Sequence, residues 1–265
     1  MNIHIIACQV FYREISYLAA LSPNATTVTW MPQGLHDTPE LLRKAVAAEI
    51  DRVETAVREN SLKRNPDVIV LGYGLCSNGT CGIRSGTIPI LVPRTDDCIG
   101  VFLGAQKTYL ELFSGYPGTY WLNSGWMESA FLPVAENYAA MREEYARMYG
   151  EDNADFLMEN ETGWIQNYHH CGYIRSCVYE APGLKEKAEA IARDCGWKFH
   201  EFEGSLRLLS RLLSGECQEG DEEILFCPPH HEIVQAYDAR KISAVPLATE
   251  AQAEKQTAAG AVKGK

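Results

Sequence analysis

The sequence predicts an α/β protein, built on a mainly parallel, Rossmann-like sheet flanked by helices. Three observations carry that expectation. Short apolar, β-branched runs alternate with helical stripes along the chain. The best-defined runs, Ile3–Ala7, Val68–Leu71 and Ile88–Val92, are almost wholly apolar, with His4 the one polar residue among them, as buried strands of a parallel sheet are. Each of these three runs leads into a cysteine: Cys8 directly, Cys76 through Gly72-Tyr73-Gly74-Leu75, and Cys98 through Pro93-Arg94-Thr95-Asp96-Asp97.

The elements follow in order. After the first strand, Phe11 to Leu21 reads as a short helix stopped by Ser22-Pro23-Asn24, and Thr26 to Trp30 as a β-branched second strand. The clearest helix starts at Thr38, a capping residue. Pro39 then suits the first helical position, and Glu40 suits the positive end of the helix dipole. Leu42, Val46, Ile50, Val53 and Val57 recur along it at helical spacing. Beyond the strand at 88–92, a helix is expected near 99–104 and a strand at Gly118–Leu122. A helix is expected within 128–149, broken or started by Pro133, with Tyr138, Met141, Tyr145 and Met148 on one face. The acidic stretch 151–161 has no assignable form. Leu184, Ala188, Ile191 and Cys195 form another helical stripe, capped by Gly196. Then come a strand at 197–202, a helix at 206–213 capped by Ser205 and ended by Gly215, and a final strand at 224–227. Residues 1–247 read as one α/β domain, or as two lobes, 1–125 and 126–247. Residues 248–265 have the composition of a disordered tail.

The totals narrow the function. The 265 residues carry a formal net charge of -11, which argues against nucleic acid or an anionic membrane as partner. No apolar run approaches the roughly 20 residues of a membrane span, and the start lacks the basic residues of a signal peptide. A cytoplasmic protein is expected. Its nine cysteines then point to metal or thiol chemistry more than to disulfides.

In a parallel sheet the carboxyl ends of the strands share one edge, where ligands bind. Cys8, Cys76 and Cys98, with His36 and either Asp96 or Asp97, would meet there as donors for zinc or iron, and an iron–sulfur cluster is also open. Gly72, Tyr73, Gly74 and Asn78, with Arg94, are the expected cofactor-binding residues, because glycines after a strand let backbone amides approach a ligand. The loop is neither a dinucleotide fingerprint nor a P-loop: residue 77 is serine, and no Gly-Lys-Ser/Thr follows. Cys81 offers a local C-x₄-C variant. His169-His170-Cys171 and His230-His231 are further clusters, although neighbours in a strand point to opposite faces. Tyr120, Trp121 and Trp126 could line an apolar pocket.

The chain resembles the DUF1638 family, a prokaryotic family of unknown function common in anaerobes and methanogens. The resemblance is carried by Cys8, Leu35-His36-Asp37-Thr38-Pro39-Glu40-Leu41, Gly72-Tyr73-Gly74-Leu75-Cys76 and Pro93-Arg94-Thr95-Asp96-Asp97-Cys98-Ile99. Gly118-Thr119-Tyr120-Trp121-Leu122, Gly196-Trp197 and Gly204-Ser205-Leu206 add to it. The family pattern usually has histidine at the position of Asp96 and glycine near His230. Its members keep company with corrinoid-dependent methyltransferase systems, which implies a corrinoid or methyltransferase protein as cofactor or partner. Three readings stand at this point: a metal protein in methyl-group metabolism, a non-catalytic accessory of a methyltransferase system, and a metal-free thiol enzyme using Cys76.

Overall fold

The computed structural model describes residues 1–179, 181–217 and 220–247. The first sheet has five strands: β1 (Asn2–Cys8), β2 (Ala25–Met31), β3 (Val68–Gly72), β4 (Ile90–Pro93) and β8 (Ile224–Cys227). Their order is β2-β1-β3-β4-β8. The first four run parallel, and β8 pairs antiparallel with β4. The central strands are apolar because both of their faces are covered: every residue of β3 and β4 is buried. The edge strand β2 instead alternates exposed and partly buried residues and is rich in threonine.

Helix α1 (Tyr12–Leu21) links β1 to β2, and α2 (Pro39–Arg58) links β2 to β3. Leu42, Val46, Ile50 and Val53 of α2 are buried in the core, as their spacing predicts, and Val57 packs at its margin. Thr38 sits at the cap position, but its side chain makes no capping hydrogen bond. After β4 come α3 (Cys98–Phe102) and α4 (Gln106–Gly115). The second of these was not expected from the sequence.

A second, wholly parallel sheet follows, of β5 (Thr119–Asn123), β6 (His170–Arg175) and β7 (Lys198–Glu203), in the order β5-β6-β7. Helix α5 (Ser124–Ser129) starts directly at its first strand, where the Asn123 side chain accepts a hydrogen bond from the Trp126 amide at 2.9 Å. Helices α6 (Ala135–Tyr149) and α7 (Glu151–Thr162) form a hairpin, so the acidic stretch is helical. Arg142 clamps the hairpin by pairing with Glu151 and Asp155 at 3.0 and 2.7 Å. The face of α6 that carries Tyr138, Met141, Tyr145 and Met148 holds no fully buried residue. Helix α8 (Leu184–Asp194) covers the second sheet, and its Ala188 and Ile191 join a separate small core with Leu122, Tyr173 and Trp197.

The chain then returns to the first sheet through α9 (Arg207–Leu213) and β8. That strand is not the last: β9 (His231–Gln235) and β10 (Ile242–Pro246) form an antiparallel hairpin after it. The second sheet begins at Thr119; after β7 only β8 rejoins the first, and β9 and β10 make a third sheet of two strands. The tail expected at 248–265 lies outside the described residues. Among the described residues, no helix is long and apolar enough to cross a membrane.

Helix α5 meets the short 3₁₀ turn after β1, Gln9–Phe11, backbone to backbone. The space where Gly125 would carry a Cβ lies 1.7 Å from the Val10 carbonyl oxygen. No other residue type allows α5 to approach the turn after β1 so closely.

Candidate functional site

Strand order changes direction at β1: the chain steps outward to β2, then crosses to β3 on the other side. Such a switch opens a crevice at the carboxyl edge, the usual ligand site of open α/β sheets. Here it forms a cavity of about 550 Å³, within the range of small-molecule sites. Cys8, His36, Cys76, Asp96 and Cys98 all line it. Five donors from four separate segments are thus brought together by the parallel topology. His36 sits in a short 3₁₀ turn, Leu35–Asp37, with its ring 5.7 Å from that of Trp126.

Cys76 is held unusually. Cys76, Ser77 and Asn78 have φ of 47°, 56° and 66°, three successive non-glycine residues in the left-handed region. Two hydrogen bonds continue the β3–β4 pairing into this loop: the Leu75 amide donates to the Thr95 carbonyl (2.7 Å), and the Cys76 amide to the Asp96 carbonyl (2.8 Å).

The three thiols sense one another. Burial raises the Cys8 thiol. Burial, then the Asp97 and Cys8 charges, push Cys76 up to about 12. Cys98 is raised well above its ordinary value by burial first, then by Asp97, Cys76 and Cys8. Cys98 retains some exposed surface, yet the surrounding protein is dense enough to desolvate it. The Tyr73 hydroxyl is raised by burial and by the Cys8 and Cys76 charges. It lies near enough to Cys8 to couple with it, without an aligned hydrogen bond.

The two aspartates differ. Asp97 caps α3, accepting from the Ile99 amide at 2.8 Å and the Tyr109 hydroxyl at 3.1 Å, and burial raises its carboxyl. Asp96 is engaged by Lys241 at 2.8 Å and by the Gln106 side-chain amide at 2.6 Å. Among the described residues, no three His, Cys, Asp or Glu side chains already stand as a preset metal-binding group.

The expected cofactor-binding residues separate. Tyr73 lines the cavity; Gly72, Gly74, Asn78 and Arg94 do not. A Cβ on Gly72 would come within 2.5 Å of the Ala7 Cβ, and one on Gly74 within 2.8 Å of Asp97 backbone atoms and Thr95 Oγ1. These glycines let neighbouring strands and loops close on each other, so their absence of side chains is used by the protein itself. Asn78 turns outward, donating to Gln235 Oε1 at 3.3 Å. Arg94 is buried beneath the β9–β10 hairpin, donating to the carbonyls of Asp221 and Arg240 (3.1 Å each) and of Ile242. It is a structural tie.

The remaining clusters also lie elsewhere. Cys81 does not line the cavity. Cys171 is buried in the second core, and His170 meets His200 at 2.9 Å on the second sheet. His231 Nδ1 lies 2.8 Å from the Pro229 carbonyl oxygen. Opposite the thiols, the second sheet and its approaches supply Thr119, Tyr120, Trp121, Trp126 and Tyr168. Tyr168 is the wall residue that sequence reasoning missed. It precedes β6, and only the pairing of that strand with β5 brings it here.

No curated protein and no solved structure matches the chain. A family model described as "Protein of unknown function (DUF1638)" matches residues 30–213, a span that includes His36, Cys76, Cys98 and the aromatic wall, and the chain belongs to that family.

Proposed function

We propose that the protein binds a metal ion in this cavity through Cys8, Cys76 and Cys98, and acts on a small molecule held against the aromatic wall. One observation carries the reading: the ends of three neighbouring parallel strands deliver three thiols to one cavity. Soft thiolates suit zinc or iron, and the same set suits an iron–sulfur cluster. His36 is the better fourth donor, because Asp96 is already held by Lys241 and Gln106. Binding entails side-chain rotation, since the donors are not preset, and it releases protons from the thiols.

A thiolate-bound zinc supplies Lewis acidity and can activate an incoming thiol for methyl transfer. The methyl-group and corrinoid part of this reading comes from the family's company; cavity size favours a small molecule over an enclosed corrinoid ring. A metal-free thiol enzyme would use Cys76 in the same cavity as its nucleophile. A purely accessory role uses the same cavity without turnover.

The test is elemental analysis of anaerobically purified protein. Wild type and Cys195→Ser should carry equal metal, and Cys76→Ser and Cys98→Ser should lose most of it. Wild type without metal, both as purified and after titration with zinc or ferrous iron, refutes the proposal.

A further inference from the structure

We propose that the aromatic wall of this cavity takes a small organic cation of the quaternary-ammonium type, seated beside the thiols. The inference deepens the proposed function and rests on the cavity being a ligand site. Its first support is the wall itself. His36, Tyr73, Tyr120, Trp121, Trp126 and Tyr168 line one space. Ring faces attract a cation through their quadrupoles, and a group of them around a methylated ammonium replaces its weak hydration at little cost.

The rings are braced from outside the cavity. Trp121 rests on Tyr109 and Phe202, with centroids 6.2 and 5.4 Å away. Tyr120 is packed by Trp164 and Trp197 at 5.5 and 5.1 Å, and meets Tyr168 edge-on at 5.6 Å. A wall so supported is already ordered before a ligand arrives, which lowers the entropy lost on binding.

The second support is charge. Two carboxylates, Asp96 and Asp97, line the cavity, and among its described lining residues there is no lysine or arginine. Lys241 neutralises Asp96. Asp97 forms no ion pair among the described residues; it accepts from the Ile99 amide and the Tyr109 hydroxyl, and the Gly100 amide also acts on it. An anionic substrate would meet aromatic faces and a carboxyl group with no cationic partner. A cation meets both favourably.

The experiment is isothermal titration of the full-length, anaerobically purified protein with choline and with 3,3-dimethylbutan-1-ol, which has the same shape with carbon in place of nitrogen. Choline should bind at least about tenfold more tightly. Asp97→Asn keeps the α3 cap acceptor and should weaken choline several-fold while leaving the neutral isostere unchanged. Trp121→Leu should weaken choline by about tenfold, with the thermal midpoint measured to show that the protein is folded. Equal affinity for the two compounds, or no choline binding by folded wild type, overturns the proposal. Metal content measured on the same samples separates the two readings. Bound metal without choline selectivity removes the cation and leaves the metal, whereas choline selectivity without metal does the reverse.

Discussion

Replacing Gly125 with alanine tests how the cavity is assembled. The added methyl would sit 1.7 Å from the Val10 carbonyl oxygen and 2.7 Å from its carbon, where real Cβ contacts do not fall below 3.0 Å. Both partners are backbone, so no rotamer change relieves the overlap. Overpacking typically costs about 1–3 kcal/mol, and a backbone-to-backbone clash belongs at or above the top of that range. At roughly 2–4 °C per kcal/mol for a chain of this size, the thermal midpoint should fall by about 6–12 °C. Val10 and Trp126 both line the cavity, so spreading them should also weaken any ligand bound there. Gly163→Ala is the control. Its φ of -58° and ψ of -29° are helical, and nothing lies within 4 Å of the new atom. It should be neutral, or stabilising by up to about 1 kcal/mol through the unfolded chain. Thermal melts followed by circular dichroism read both. A Gly125→Ala midpoint within about 2 °C of wild type would show that α5 and the turn after β1 do not touch in solution, and the two-walled cavity would fail with them.

Glu14 is buried with one oxygen on the Ser176 hydroxyl at 2.6 Å and the other without a partner, and burial raises its carboxyl above the ordinary 4.5. The folded state then holds the proton more tightly than the unfolded chain, so this group's stabilising contribution is full below 4.5 and is lost as pH rises through the raised value. Glu14→Gln should therefore raise the thermal midpoint at neutral pH and give no gain near about pH 4; an equal gain at both pH values would refute the burial argument. Arg94→Met should lower the midpoint, because three backbone carbonyls lose their donor, yet leave metal content per folded chain unchanged. Loss of metal in folded Arg94→Met would return Arg94 to the site.

The parts legible in the sequence were those set by local periodicity. The α2 stripe could be read because 3.6-residue spacing places Leu42, Val46, Ile50 and Val53 on one face. The shared edge of Cys8, Cys76 and Cys98 could be read because each follows an apolar run, and parallel strands put their ends together. Partnership over long range was not legible. Arg94 bonds to carbonyls 127 to 148 positions away, and nothing in Pro93-Arg94-Thr95 says that a hairpin will settle over it. The direction of β8 depends on its partner in the same way, as does the arrival of Tyr168 at the cavity. The glycines misled for a different reason. Gly72 and Gly74 mark a close approach, as expected, but what approaches is Ala7 and Asp97 of the protein rather than a ligand.

The loop that presents Cys76 supports the site independently of any metal. A left-handed residue costs a non-glycine side chain roughly 1–2 kcal/mol, and here three occur in succession. Asn78 tolerates this conformation well; Cys76 and Ser77 have less reason to adopt it. A relaxed solution was open to the chain, since Gly74 and Gly79 stand within three residues of Cys76, yet neither takes the strained positions. Such strain persists where the surroundings over-determine it, and the hydrogen bonds from Leu75 and Cys76 to the β4 loop do so. Their effect is to place a thiol on the cavity wall directly beyond the switch in strand order. A glycine at 76 would relieve the backbone and remove that sulfur, so the strain and the thiol are parts of one arrangement, and the chemistry of the cavity is to be sought at Cys76 first.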